Sequence, residues 1–157
     1  RSSARQLQDA PVSSSWAASE VYKKQGDEYF KEQASKFTNR LNPLKEYTGT
    51  HDLGFMIYCS YGNAERLAPN DTVPSVMIQT ANNLAGRFDE KIGCIRSWNY
   101  GCWNFPVIID NMMSLELLFW ASNYTKNSKY KDVAVKHADI TKKNHFRPNV
   151  PSYHVKR

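Results

Sequence analysis

Cysteine is scarce in this 157-residue chain, and the three present, Cys59, Cys94 and Cys102, form neither a CxxC pair nor an even disulfide framework. They read as small buried residues and leave the redox compartment open. Glycine and proline number seven each. No GxGxxG, P-loop or GxSxG pattern occurs, which removes the usual signatures of dinucleotide binding, nucleotide phosphate binding and serine-hydrolase chemistry. His137, His145 and His154 stand eight and nine residues apart, with no Cys or carboxylate at a ligand spacing. No metal and no cofactor are therefore expected.

Long apolar runs are also missing. The greasiest stretch, FPVIIDNMMSLELLFWA (105–121), is too short for a membrane span and carries Asp110 and Glu116. No signal-peptide pattern heads the sequence, an observation compatible with a precursor whose signal was removed. Strand-like alternation is rare. The 21 Lys and Arg against 15 Asp and Glu give a formal charge of +6, a balance that suits an anionic partner of several kinds. The basic residues are scattered and do not alternate with aromatics, so a nucleic-acid groove is not expected.

What the chain does contain is a repeat. Phe30, Ala34, Phe37 and Leu41 are spaced four, three and four; Met77, Ala81, Leu84 and Phe88 repeat that spacing, and so do Ala134, Ala138, Thr141 and His145. Such spacing puts each set on one helix face. A recurrence near 50 residues predicts stacked helix pairs. Between these amphipathic helices lie more uniformly apolar ones, over Leu53 to Tyr61 and Pro106 to Tyr124, a pattern that marks inner, buried helices. Turn signals at KQGDEY (24–29), APND (68–71) and TKNSKY (125–130) each precede an outer helix. Roughly two and a half hairpins result, fewer than a closed ring of paired helices contains.

Two carboxylates fall at matching places in this repeat. Asp52 lies 29 residues before Ala81 and Asp110 lies 28 before Ala138. Equivalent positions near the starts of neighbouring inner helices should face one cavity. Helix capping is the alternative role for each, stronger for Asp52, directly ahead of LGFMIYCSYG, than for Asp110, where PVII already reads as helical and Pro106 suits a first turn. Held among Ile, Met, Leu and Trp, Asp110 is expected to resist ionisation and to serve as a proton donor. His51, Trp98 and His154 follow Ala34, Ala81 and Ala138 by 17, 17 and 16 residues, which sends all three to the same rim. Tyr100, Trp103, Arg147 and Tyr153 are close by in sequence. Aromatic faces beside carboxylates suit a sugar ring, although a lone Trp or His in such a loop is more often a packing residue.

The motifs HDLGFMIYCSYGNAERL, IGCIRSWNY, FPVIIDNMMSLELLFWA and VKHADITKKNHFRPNVPSYHV resemble the unsaturated glucuronyl hydrolases, glycoside hydrolase family 88, over about residues 26 to 155. The resemblance implies an all-α fold, an (α/α)6 barrel, and removal of a terminal Δ4,5-unsaturated uronic acid from lyase-generated oligosaccharides by hydration of the enol ether. Asp110 matches the family's acid/base and Asp52 its second Asp. His51, Trp98 and His154 match residues lining the uronate subsite, Trp16 matches a sugar-stacking aromatic, and Trp103 is grouped with the substrate-binding residues. An oligosaccharide substrate, no nucleic acid and no membrane follow as partner expectations. A periplasmic or secreted setting is inherited from lyase-coupled glycan breakdown, with a cytoplasmic one open.

Three departures qualify the match. The chain stops near His154, so residues 1–157 are expected to form a partial catalytic domain, about the N-terminal half of a barrel. An aromatic and glycine-rich run is missing between Trp16 and Ala17, which predicts a short first hairpin. Asn149 stands where the family often has Asp, and Val150-Pro151 replaces a more polar turn. The alternatives are a related hydrolase of unsaturated rhamnogalacturonan and a non-catalytic helical module that binds acidic glycans.

Overall fold

A computed structural model describes residues 3–146, with side chains from Val12 onward. Arg147, Asn149, Tyr153 and His154 lie outside the described residues. Among the described residues, six α-helices form three consecutive hairpins: α1 (Ser3–Gln25) with α2 (Glu28–Asn39), α3 (Leu53–Leu67) with α4 (Thr72–Ala85), and α5 (Leu115–Thr125) with α6 (Ser128–His145). Helices α1, α3 and α5 pack side by side as an inner layer, and α2, α4 and α6 lie outside them.

Each hairpin turn follows from local chemistry. Gly26 ends α1 at φ +68, a conformation glycine adopts freely, and Asp27 Oδ1 accepts the Tyr29 N–H at 2.8 Å to start α2. Asn70 Oδ1 accepts from the N–H groups of Thr72 and Val73 at 3.0 and 3.2 Å ahead of α4. Lys126 takes a left-handed φ of 58 and Asn127 then caps α6 through the Lys129 N–H at 3.0 Å. These are the three turns expected from the sequence.

The repeated register supplies much of the core. Leu41, Met77, Ala81, Leu84, Ala134 and Thr141 are buried, and the remaining six positions are half-buried. Leu41 and Phe88 carry the register past the helix ends, Phe88 into a two-residue strand. That strand, β1 (Phe88–Asp89), pairs antiparallel with β2 (Cys94–Ile95). It is a short exception to the all-helical expectation.

Four readings change. The first hairpin is not short: α1 runs unbroken for 23 residues through Trp16 and Ala17, so three hairpins are present where roughly two and a half were expected. Residues 106–124 are not one helix either. Pro106 lacks an N–H, and its carbonyl accepts from Ser97 N–H at 2.8 Å, which ties this segment to a neighbouring loop. Ile108 is extended (φ −119, ψ 163), a 3-10 helix covers Ile109–Ser114, and α5 begins only at Leu115. The inner helix is also not buried all round, since Phe119 and Tyr124 are exposed, as are Met112 and Met113 ahead of it. Finally, of the cysteines only Cys94 is buried; Cys59 is half-buried and Cys102 exposed.

Two contacts lock the arc together and are directly testable. Gly54 on α3 sits against Ser114: a Cβ there would lie 2.3 Å from Ser114 Cβ and 2.6 Å from Ser114 Cα. Gly54→Ala should lose about 1–3 kcal/mol from overpacking against backbone. An unchanged urea midpoint would contradict this close approach.

His137, fully buried on α6, accepts the Ile95 N–H at Nδ1 (3.0 Å) and so joins α6 to β2. Burial first, then the neighbouring His145 and His51, pushes its pKa down from 6.5 to about 4. The unfolded chain therefore binds this proton more readily than the folded one. Its contribution should be complete above pH 6.5 and disappear as pH falls towards 4, an effect of at most about 3 kcal/mol. His137→Gln, which keeps an acceptor for Ile95, should flatten the stability profile across that window, as read by thermal unfolding between pH 4 and 7.

Candidate functional site

The starts of α3 and α5 are held together by a buried polar node. Ser97 donates its hydroxyl to Asn111 Oδ1 (2.7 Å) and accepts the Ile108 N–H (3.1 Å). Asn111 Nδ2 donates to the Ile95 carbonyl at 2.6 Å. The Ser97 carbonyl accepts the His51 N–H at 2.9 Å and lies 3.1 Å from His51 Nδ1. Ser114 closes the circuit by donating to the His51 carbonyl at 2.6 Å. Ser97, Asn111 and Ser114 are fully buried and His51 nearly so. None of the three was singled out from sequence. Their adjacency to Trp98, to Asp110 and to the start of α5 was the available signal.

The node fixes the surroundings of both carboxylates. Asp52 precedes α3 but makes no side-chain capping bond. Instead its Oδ2 accepts from the Thr50 hydroxyl at 3.0 Å, and its Oδ1 lies 3.1 Å from His51 Nε2. That last approach misses hydrogen-bond geometry, so the buried Nε2 has no partner. Capping thus does not account for Asp52. Asp110 occupies the second position of the 3-10 helix, where Ile108 is the N-cap, and it is exposed. The apolar enclosure expected to hold a proton on it is absent among the described residues. The reason is that residues 106–108 are not helical, with Ile108 extended, so that Asp110 falls on the exposed side of a 3-10 helix ahead of α5.

Of the aromatic candidates, Trp98 is half-buried, bridges to Thr50 through the backbone and stacks on Tyr100, with ring centroids 5.8 Å apart and planes at 22°. It therefore stands beside the loop that carries His51 and Asp52. Trp103 is 67% exposed, further along the same loop. Trp16 is also exposed, on α1, and borders a groove with Phe55 and Met56 from the first turn of α3, one turn beyond Asp52. His154 lies outside the described residues, so the third member of the His51, Trp98, His154 register is not placed.

Arg87 braces this end from behind. Its Nε donates to the Arg96 carbonyl at 2.8 Å, Nη1 to the Thr48 carbonyl and Nη2 to Asn99 Oδ1 at 3.1 Å. The side chain thereby ties the loop before His51 to the residues on either side of Trp98. Burial, and then the neighbouring Arg96, lowers its pKa, while Tyr47 and Asp52 act the other way. Among the described residues no group of three His, Cys, Asp or Glu side chains converges as metal ligands. No described helix is long and apolar enough to cross a membrane.

Comparison with known proteins gives a consistent result. An unsaturated glucuronyl hydrolase of Formosa agariphila is 40% identical over 138 residues, 86% of this chain and 34% of that protein. An unsaturated chondroitin disaccharide hydrolase of Streptococcus agalactiae is 31% identical over 121 residues, 76% of this chain and 30% of its own length. The crystal structure of an unsaturated glucuronyl hydrolase specific for heparin superposes with a TM-score of 0.83 at 43% identity, covering 92% of this chain and 38% of that one. No protein-family model matches. The chain spans about a third of the length of the curated relatives it matches. Its three hairpins are thus part of an (α/α)6 barrel, and the chain belongs to the family of the unsaturated glucuronyl hydrolases.

Proposed function

We propose that this chain carries the acid/base end of a glycoside hydrolase that removes a terminal Δ4,5-unsaturated uronic acid from oligosaccharides released by polysaccharide lyases. The observation that carries this reading is the joining of two carboxylate-bearing turns, at the starts of neighbouring inner helices, by the buried Ser97–Asn111–Ser114–His51 node. Asp110 is exposed to solvent, and Asp52 is anchored by Thr50.

In this mechanism Asp110 gives its proton to C4 of the enol ether, and the positive charge that develops is centred on C5. The regenerated carboxylate takes a proton from water as the water oxygen bonds to C5. The resulting hemiketal opens by breaking the C5–O5 bond, which leaves a ketone at C5 and a hemiacetal at C1; the hemiacetal then passes its hydroxyl proton to the glycosidic oxygen and becomes an aldehyde as the aglycone sugar leaves. Asp52 and His51 hold substrate and water, with Trp98, Trp103 and Trp16 offering aromatic surface to sugar rings. His154 is assigned to the same subsite by its match to the family motif. This chemistry proceeds at the double bond, so the carboxylate-separation rule of ordinary glycosidases does not apply.

Among the relatives, three are named for chondroitin disaccharides and one solved structure for heparin, and these names support an acidic glycan as substrate here. The test is to incubate the protein with unsaturated chondroitin, heparin and hyaluronan disaccharides, and with unsaturated gellan and pectin fragments, and to follow the ultraviolet absorbance of the double bond. Consumption of the glucuronyl substrates is expected. Turnover of rhamnogalacturonan fragments alone would move the activity to that sister specificity, and binding without turnover across the panel would make this a glycan-binding module. Asp110→Asn should abolish turnover while leaving substrate binding measurable by calorimetry, because the amide keeps the shape and has no carboxylic proton to give. Wild-type rates in that variant would remove Asp110 from the mechanism.

A further inference from the structure

Behind the Thr50–Trp98 bridge, at the C-terminal end of α4, lies a cleft of about 500 Å³. Its size falls in the range of small-ligand sites. Thr48, Asn82, Arg87, Arg96, Asn99 and Asp89 contribute to its walls. None of these residues has a part in the chemistry proposed above, although Thr48 and Asn99 sit in the two loops that carry His51 and Trp98.

Donors outnumber acceptors in the cleft, where Asn83 Oδ1 and the second carboxylate oxygen of Asp89 are side-chain acceptors left open. Neither guanidinium forms an ion pair among the described residues. Arg87 spends its N–H groups on the Arg96 and Thr48 carbonyls and on Asn99 Oδ1, bonds that leave its charge unneutralised. Arg96 Nε is buried with no hydrogen-bond partner at all. An orphaned buried donor of this kind is costly, and the half-buried Arg96 side chain, which lines the cleft, gains an acceptor by turning towards a bound oxyanion. Asn82 Oδ1 accepts from the Tyr130 hydroxyl at 2.8 Å, and Asn99 Oδ1 is taken by Arg87, so each amide still has its NH2 to donate. The acidic member, Asp89, has one carboxylate oxygen engaged by the Lys91 and Ile92 N–H groups at 2.9 and 3.0 Å. Within the cleft two arginines face this one carboxylate, while Asp52 acts on Arg87 from outside the cleft. Phe105 adds an aromatic surface.

We propose that this cleft is a second binding site, separate from the Asp52 and Asp110 turns, for an oxyanion carried on a sugar: a sulfate ester or a uronate carboxylate of an acidic glycan. The Arg96 guanidinium holds the oxyanion with charge-assisted bonds, the Asn82 and Asn99 amides add neutral donors, and Phe105 meets the sugar ring. The sugar part of this assignment rests on the glycan reading above; the oxyanion part rests on the cleft alone.

The test is calorimetric titration of the chain with N-acetylglucosamine 6-sulfate, methyl β-glucuronide, neutral methyl β-glucoside and inorganic sulfate. At least one charged sugar should bind tenfold or more tightly than the neutral glucoside, and the pair separates sulfate from carboxylate as the source. Arg96→Gln should weaken that binding at least tenfold, with Arg96→Lys intermediate. The Arg96 Nε–H resonance of the wild-type protein should shift on titration, a readout that stands even if a variant fails to fold. Charged sugars binding no better than the glucoside, binding of inorganic sulfate alone, or binding indifferent to Arg96→Gln without a shift of that resonance would each overturn the proposal. Asp110→Asn should retain this binding. Loss of ultraviolet turnover with Arg96-dependent binding intact would count against the hydrolase reading only, and turnover without such binding would count against this site only.

Discussion

Ser97, Asn111, Ser114 and His51 exchange hydrogen bonds in a volume closed to water, and the placement of both carboxylates depends on them. Each bond adds only about 1 kcal/mol net, but a buried polar group deprived of its partner costs about 1–3 kcal/mol. The members are therefore interdependent. The node also tolerates little shift, because Gly54 brings α3 to within contact of the Ser114 backbone and leaves no room for a side chain between the helices.

From that constraint the character of the site follows. Residues 106–108 are held against Ser97 with Ile108 extended, so Asp110 emerges on a 3-10 turn in solvent and not inside an apolar helix. Access, more than enclosure, is what the described residues give this carboxylate. Asp52 differs: Thr50 anchors one oxygen, and the largely buried His51 ring lies against the other. Arg87 reinforces the arrangement from the opposite side by bonding the backbone at Thr48 and Arg96 and the side chain of Asn99. On the outer layer, His137 performs a comparable task by joining α6 to β2 through Ile95, next to the Ile95 carbonyl that Asn111 uses.

Much of the architecture was legible because it is local. The four-three-four spacing of apolar residues describes a helix face without reference to any partner, and Met77, Ala81, Leu84 and Ala134 occupy the core as that spacing requires. Gly26, Asn70 and Asn127 mark the hairpin turns by their own backbone and capping preferences. The apolar run after Pro106 misled for a related reason: hydrophobicity reports burial tendency, but a short apolar run does not by itself separate helix from an extended segment and a 3-10 turn. Trp16 and Ala17 likewise sit in uninterrupted helix, since neither residue breaks one.

By itself the sequence determined the helix faces, their order, the hairpin turns and the placing of Asp52 and Asp110 near the starts of successive inner helices, because each depends on residues within a few turns of one another. Only the tertiary structure decided that Asp52 is anchored by Thr50, with the His51 ring beside it, in place of a helix cap, that Asp110 is exposed, and that Ser97 and Asn111 connect the two turns. The Ser97–Asn111 and Ser114–His51 bonds join segments 14 and 63 residues apart, whereas the Asp52–Thr50 bond spans two residues in a turn that the Thr50–Trp98 bridge and the His51–Ser97 bonds hold in place. Whether a polar side chain bonds its own backbone or a distant one is settled by which loops the packed helices bring within reach.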